Sequence, residues 1–285
     1  MKINSISPQN HKYLQIINTI AKVPKRLHYI GRLPENRMTT VAIVGSRKPT
    51  AYGKEVTYQL AYDLAKRGIV ILSGLALGVD SIAHQAALDA GGITIAVLPS
   101  SVDDIYPRTH SNLAKQIIAS GGAIISEYEP ETGIYKTNFL ERNRIVSGLA
   151  DALIVTEAAI RSGTLSTVGH ALEQGREVFA VPGNITSPLS AGCNALIKQG
   201  AAPITSAQDV LEVIAPDLLD EQQSLALGNT PIETKIISLL KSGIRDGDQL
   251  QEKVGIDASE FAQTLTILEL GGTIRSLGGN QWTLR

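Results

Sequence analysis

One cysteine, Cys193, stands in 285 residues. Neither an intramolecular disulfide nor a cysteine-built zinc cage can form, and a compartment that keeps thiols reduced is expected. No apolar run approaches the roughly 18 residues that a transmembrane helix needs. The first residues hold Lys2 but then Ser5, Ser7, Gln9, Asn10 and His11, without the apolar core of a secretory leader. A cytoplasmic protein with no membrane partner is the expectation. The five histidines, His11, His28, His84, His110 and His170, lack metal-ligand spacing, and no Ser/His/Asp set stands in a mechanism-like context. No metal, cofactor or catalytic residue is therefore called for, and His84 and His170 read as ordinary polar residues on helix faces. The three-glycine dinucleotide pattern and the P-loop with its terminal Lys-Ser/Thr are missing too, which disfavours nucleotide hydrolysis of that kind.

Net charge is close to zero at −1, but it is unevenly spread. Residues 1–40 carry +6, residues 41–215 carry −3, residues 216–229 carry −3 and residues 230–285 carry −1. Any polyanion must be held by local clusters rather than by the field of the whole chain.

What is present is a repeated buried-strand signal. Continuous apolar runs at 41–44, 69–72, 93–98, 123–125, 152–155 and 178–181 alternate with helix-like stretches, among them 51–67 closed by Gly68 and 79–90 closed by Gly91. Unbroken hydrophobicity means that both faces of the sheet are covered, and the spacing leaves one helix per crossover. An α/β fold follows: an extended Rossmann-like, doubly wound, mostly parallel sheet over 41–215, preceded by a basic segment at 1–40. Pro216, Asp217, Asp220, Glu221 and Gly228 give 216–229 the composition of a linker. Beyond it, 231–241, 246–254 and 257–270 read as three short helices, followed by strand-like pieces around Gly278-Gly279-Asn280. That order predicts a small C-terminal winged-helix domain at 230–285. Its third helix carries Asp257, Glu260 and Glu269 and no Lys or Arg, so reading of duplex DNA is disfavoured.

Ligands of open α/β sheets gather at the carboxyl ends of the strands. There the first strand runs into Gly45-Ser46-Arg47-Lys48 and the second into Ser73-Gly74-Leu75-Ala76-Leu77-Gly78, each followed by a helix. Glycine corners at helix starts are anion seats, and Arg47 adds a guanidinium that can fork onto phosphate or lie on a base. Arg161-Ser162-Gly163-Thr164, after Glu157 and the fifth strand, is a third such corner. Glu173 farther on reads as a solvated acid, Glu157 less so because it ends a buried strand. The run Lys136, Asn138, Phe139, Arg142, Asn143, Arg144 interleaves cations with one of only three phenylalanines, a mixture suited to single strands, whose splayed bases stack on rings while cations meet the backbone. On a helix, Arg142 and Arg144 face different directions, so at most one shares the face of Phe139. The competing reading makes Phe139 core and pairs the arginines with Glu141 or Asp151.

Taken together, Gly45-Ser46-Arg47, Ser73-Gly74-x-Ala76-x-Gly78-Val79-Asp80 with Ala83-His84, Tyr106-Pro107, Ser126-Glu127, Phe139-x-x-Arg142-Asn143-Arg144, Glu157 with Ser162-Gly163-Thr164, Glu173-x-Gly175-Arg176, Val181-Pro182-Gly183 and Gly192-Cys193-Asn194 resemble the DNA-processing DprA/Smf family over residues 27 to 204. The resemblance implies a non-catalytic protein that binds single-stranded DNA and loads the RecA recombinase during natural transformation. It implies strand contacts from Arg47, phosphate in the Gly74 to Gly78 loop, and backbone and base contacts from Lys136, Phe139 and the Arg142-Asn143-Arg144 run. It further implies a homodimer through the stretch around Asn194, Ile197 and Ile204. Many relatives start with a helical SAM-like domain, in whose place this chain has its basic segment. The alternative is a nucleoside-monophosphate phosphoribohydrolase of the lysine-decarboxylase-like kind. That class joins Pro-Gly-Gly to a Gly-Thr helix start with paired glutamates, whereas Pro182-Gly183 and Gly163-Thr164 lie at the ends of different strands here.

Overall fold

The computed structural model describes residues 2–219 and 230–284. The predicted linker therefore falls mostly outside the described residues. The chain forms two compact units, Met1–Ala215 and Pro216–Arg285.

In chain order the first unit holds β1 (Asn4–Ile6), β2 (Leu27–Gly31), β3 (Thr40–Val44), α1 (Ala51–Lys66), β4 (Val70–Ser73), α2 (Val79–Asp89), β5 (Thr94–Val97), α3 (Ser111–Ala119), β6 (Ala123–Ser126), α4 (Lys136–Leu149), β7 (Ala152–Val155), α5 (Thr164–Glu173), β8 (Glu177–Ala180), α6 (Ala191–Lys198), β9 (Ala202–Pro203) and α7 (Ala207–Ile214). All nine strands make one sheet in the order β1-β2-β6-β5-β4-β3-β7-β8-β9. Pairing is parallel from β6 through β9, with registers such as Val41 opposite Ile71 on one side and Ala152 on the other. β2 joins β6 antiparallel, with Tyr29 opposite Ile125, and β1 joins β2 antiparallel. Ile95 and Val97 point into the larger core with Leu72, Leu153 and Val155, while Ala96 and Leu98 point into a second core with Ile117 and Ile124. Both faces of β5 are thus dry, which is why its sequence does not alternate.

The basic segment expected to stand apart at 1–40 is instead part of this unit. It supplies two strands, and Tyr13, Leu14 and Ile17 are fully buried in the larger core. Arg37 pairs with Asp151 at 2.6 Å, and Tyr13 Oη lies 3.1 Å from Thr40 Oγ1. The +6 of the segment concealed this, because its cations are spaced between apolar residues that face inward.

The second unit contains α8 (Pro231–Lys241), α9 (Gly247–Val254), α10 (Ala258–Leu270) and the hairpin β10 (Ile274–Gly278) with β11 (Gln281–Leu284), the winged-helix order. Ile236, Leu250, Phe261, Leu265 and Ile274 form its own core. Each helix is started by its sequence: the side chains of Thr230, Asp246 and Asp257 accept from amides of the first turn. One of the acids that argues against DNA reading, Asp257, is thereby a helix cap. Among the described residues, no helix is long and apolar enough to cross a membrane.

Candidate functional site

The chain runs from β3 outward to β6 and then returns to β7 on the other side of β3, so loops diverge at the carboxyl end of β3 and leave a crevice. A cleft of about 400 Å³ opens there. Its walls are the corner after β3 (Gly45, Arg47), the loop after β4 (Gly74, Ala76, Asp80), the first half of α4 (Phe139, Leu140, Arg142, Asn143) and the corner before α5 (Arg161 to Thr164). All three glycine corners and the cation-aromatic run therefore meet at one place.

The corners approach one another closely. Ser46 donates its amide to Glu157 O at 2.7 Å, Val79 donates to Ser46 O at 3.1 Å, and Thr164 Oγ1 donates to Gly45 O at 3.0 Å. A Cβ on Gly45 would meet the backbone of Glu157 and the side chain of Val79, and one on Gly78, whose φ is +81°, would meet the backbone of Ser46 and Arg47. These two positions need glycine because main chains touch there.

The anion seats differ from expectation. The Gly74 to Gly78 loop is filled from within: Asp80 Oδ2 accepts from the amides of Gly74 at 3.0 Å and Ala76 at 3.3 Å. Burial raises the Asp80 pKa, opposed by the Arg142 charge and the loop amides. Ser73 is fully buried and donates to Ile43 O at 2.6 Å, so it braces the strand end and is not a ligand. The corner at α5 is partly filled from within as well, since Ser162 Oγ accepts from the amide of Thr164 at 3.2 Å. Gly163 brings no side chain to cap the helix, and Ser162, Arg161 and Thr164 line the cleft, with Ser162 Oγ donating to Thr164 Oγ1 at 3.0 Å.

The run on α4 splits by direction. Phe139 stands on the rim with the Arg47 guanidinium over its ring, 5.6 Å from the centroid, and Tyr106 edge-on at 5.3 Å. Tyr106, two-fifths exposed, is a rim residue that the reading from sequence left without a role; its place beside Phe139 arises from a distant loop and had no local signal. Arg142 is only 6% exposed. Its Nη1 donates to Gly74 O at 2.6 Å and also to Val97 O, tying the β4 loop to β5. Burial pushes its pKa down to about 10 despite Asp80 nearby. The expectation for Arg142 is corrected in part: it lines the cleft, but its Nη1 is spent on main-chain carbonyls and its Nε donates to Asn143 Oδ1 at 3.3 Å, so the side chain braces the cleft floor. Arg144 is not a cleft residue. It pairs with Glu127 at 2.5 Å and lies 3.7 Å from Glu141, on the side of α4 away from the cleft. Asn138 is buried and donates to Pro99 O at 3.1 Å, so it anchors the start of α4. Lys136, Arg47, Lys48 and Arg161 are exposed, and Asn143 lines the cleft.

Glu157 is buried and accepts from the amide of Thr50 at 2.8 Å and its hydroxyl at 2.6 Å, a structural bond at the start of α1. The Glu173 side chain is exposed, as expected, and His170 lies 3.6 Å from it. His84, expected on a helix surface, is instead fully enclosed. At the other end of the sheet, Ile204 is 1% exposed and belongs to the interior, so it cannot be a dimer contact. Asn194 exchanges hydrogen bonds with the Gly183 backbone at 3.0 and 3.2 Å, and Ile197 packs half-buried on the core.

Sheet order, cleft position and the winged-helix unit define a Rossmann-like α/β protein that presents a cationic, aromatic-rimmed cleft. Residues 4–215 match the family model described as DNA recombination-mediator protein A, and residues 215–280 match the DprA winged helix domain. The chain belongs to the DprA/Smf family. It is 39% identical to Protein Smf of Escherichia coli over 274 residues, which is 92% of this chain and 72% of the relative. Among solved structures it is similar to DNA processing protein A from Streptococcus pneumoniae, with TM-score 0.70 and 40% identity over 75% of each chain. It is also similar to the Helicobacter pylori protein, studied for its single-stranded DNA binding mode, with TM-score 0.67 and 35% identity over 76% of this chain and 97% of that one.

Proposed function

We propose that this chain binds single-stranded DNA in the cleft at the carboxyl end of β3, β4 and β7, without sequence reading and without chemistry, and passes the strand to RecA recombinase in natural transformation. The observation that carries the reading is the Arg47–Phe139–Tyr106 cluster on the rim of a cleft whose lining also includes Arg161 at the start of α5. A ring that already holds a guanidinium offers a base a mixed π and cationic platform, while Arg47, Lys48, Lys136 and Arg161 supply charge for the backbone. The Helicobacter pylori relative supports the same ligand class, and the description of the family as a recombination mediator supports the RecA step.

The lining argues for binding rather than hydrolysis. Among the described residues its one acid is Asp80, and that carboxylate is held by loop amides; Glu173 opens onto a different groove. The phosphoribohydrolase alternative therefore has no free carboxylate to assign among the described residues that line the cleft. Self-association through the β9 edge, the last strand of the sheet, is part of the proposal, with Ile197 in place of the enclosed Ile204 as the apolar contact.

Anisotropy titration of a labelled oligothymidylate tests the binding. With about four phosphates neutralised, the logarithm of affinity should fall against the logarithm of salt with a slope near −3, and duplex should compete poorly. Binding indifferent to salt, or release of free adenine from AMP, overturns the reading. RecA filament formation on protein-coated strands tests the second step, and light scattering tests the dimer.

A further inference from the structure

The helix that walls the cleft has another side. Residues 139, 142 and 143 of α4 face the cleft, whereas Leu140, Glu141 and Arg144 face a separate groove of about 250 Å³ closed by α5 and by the turn around Ala21 and Lys22. Leu140, half exposed, lines both hollows and forms the crest between them.

Three independent features indicate what this groove takes. Its cations are matched in pairs, Lys22 with Glu141 at 2.6 Å and Arg144 with Glu127 at 2.5 Å, and Glu173 adds an exposed carboxylate. An uncharged occupant suits it better than a phosphate. Its lining includes apolar Ile20, Ala21 and Leu140, yet it keeps hydrogen-bonding capacity in reserve. Arg144, whose side chain is 95% buried, has Nε and Nη1 without a hydrogen-bond partner, and Gln174 Oε1 has none either. Buried donors and acceptors left unpaired cost free energy, and a ligand that supplies the complement recovers it. A flat, uncharged ring with an acceptor and a donor on one edge has that complement, and nucleobases are such rings. Finally, Lys22 at the mouth belongs to the positively charged 1–40 segment, which the cleft does not use. Its pair with Glu141 is largely exposed, so exchanging it for a backbone phosphate costs little.

We propose that this groove is a nucleobase subsite for the same bound strand, the polynucleotide crossing α4 over Leu140 so that one base enters between α4 and α5. The inference rests on the single-strand reading above and extends the path of the strand toward the N-terminal segment.

The test compares oligothymidylates of about 5 nucleotides, long enough for the cleft alone, and about 20 nucleotides, long enough to pass beyond it. Three variants of the full chain are compared with wild type: Ala21→Trp, which fills the groove from an exposed position, Lys22→Ala at its mouth, and Arg47→Ala in the cleft. Filling the groove should weaken the long oligonucleotide about ten-fold, the size of one lost base contact, and leave the short one unchanged. A long oligonucleotide made abasic outside five nucleotides should bind wild type about ten-fold more weakly than the intact one, and Ala21→Trp no more weakly than wild type. Lys22→Ala, a surface change that leaves the fold intact, should lower the salt slope by about 0.7 for the long oligonucleotide only. Unchanged long-oligonucleotide affinity in a folded Ala21→Trp protein, or an unchanged salt slope in Lys22→Ala, overturns the subsite. Failure of wild type to bind the short oligonucleotide, or indifference to Arg47→Ala, overturns the cleft reading itself, which separates the two outcomes.

Discussion

The carboxylate of Asp80 sits 3.0 Å from the amide of Gly74, in the seat that the sequence of the loop reserves for an anion. The family motif carries its own counter-charge, and the loop arrives at the cleft already shaped. Leu75 within it holds φ at 58°, an uncommon value for a residue with a side chain, and its carbonyl lies 2.8 Å from His110 Nδ1. Replacing Asp80 with Ala leaves two loop amides unpaired and removes the charge that offsets Arg142. Asp80→Ala should therefore lose about 3 kcal/mol of stability, and Asp80→Asn, which keeps an acceptor, about 1 kcal/mol. Urea denaturation of the two variants measures the difference; equal losses would show that the negative charge, and not an acceptor for the amides, holds the loop.

The cation and ring of Arg47 and Phe139 should act on the strand as a unit. A base stacking there meets both groups, so neither contributes independently. Arg47→Ala and Phe139→Ala are each expected to weaken single-strand binding about ten-fold or more, while the double variant should fall short of the product by about 1 kcal/mol. Arg275→Ala, in the second unit, should leave affinity near wild type. The same anisotropy titration reads all four proteins, and strict additivity would show that the stacked pair is a resting arrangement that the strand dismantles.

The central strands were legible because β3 to β8 are buried on both faces, and an unbroken apolar run survives any choice of register. β1, β2 and β9 were not. β1 is Asn4-Ser5-Ile6 and β9 is two residues long, so neither has a period to detect, and β2 lies among cations that drew attention to charge instead of to Leu27 and Ile30. The side-chain directions on α4 were half legible. Divergence of Arg142 from Arg144 follows from helical geometry, as expected. That Arg142 points inward was available from the stripe Asn138, Arg142, Ile145, Leu149, whose spacing of four, three and four residues marks one buried face. The cation's chemistry overrode the period in the reading. The place of Tyr106 depends on tertiary closure, and no local pattern announces it; the Asp80 bridge is local, an acid in the first turn of α2 reaching back four and six residues to the loop amides, and was overlooked because the glycines drew attention to an external anion.

Arg142 and Arg161 line the same cleft and should fail in different ways. Arg142 spans Gly74 O and Val97 O from an enclosed position, so Arg142→Ala removes a buried multi-bond tie and should cost about 3 kcal/mol of stability. Arg142→Lys should recover only part, since one ammonium cannot serve the two carbonyls and also replace the Nε bond to Asn143 Oδ1. Arg161 is exposed, so Arg161→Ala should leave the melting temperature unchanged, weaken single-strand binding, and reduce the salt slope by about 0.7. Melting curves and titrations on the same preparations separate the two; loss of stability with Arg161→Ala would place that side chain in the framework.

His84 makes stability depend on pH from inside the core. Thr94 Oγ1 donates its only proton to Ile71 O at 2.8 Å, so at 2.7 Å from His84 Nδ1 it must accept, which fixes the Nδ1–H tautomer. Nε2 is then a bare nitrogen, buried without a partner, and a proton added there would have no acceptor. Burial, with His110 and Arg142 adding to it, pushes the pKa from 6.5 down to about 3. Below pH 6.5 the unfolded chain takes up a proton that the folded chain refuses, so stability is complete above that value and is lost as pH falls toward 3. From pH 7 to 5 the loss from this residue should be about 2 kcal/mol. His84→Gln, which does not titrate, should be less stable than wild type at pH 7 yet lose about 2 kcal/mol less across that interval. Urea denaturation at both pH values measures the two slopes, and parallel slopes would mean that the imidazole is protonated in the folded protein.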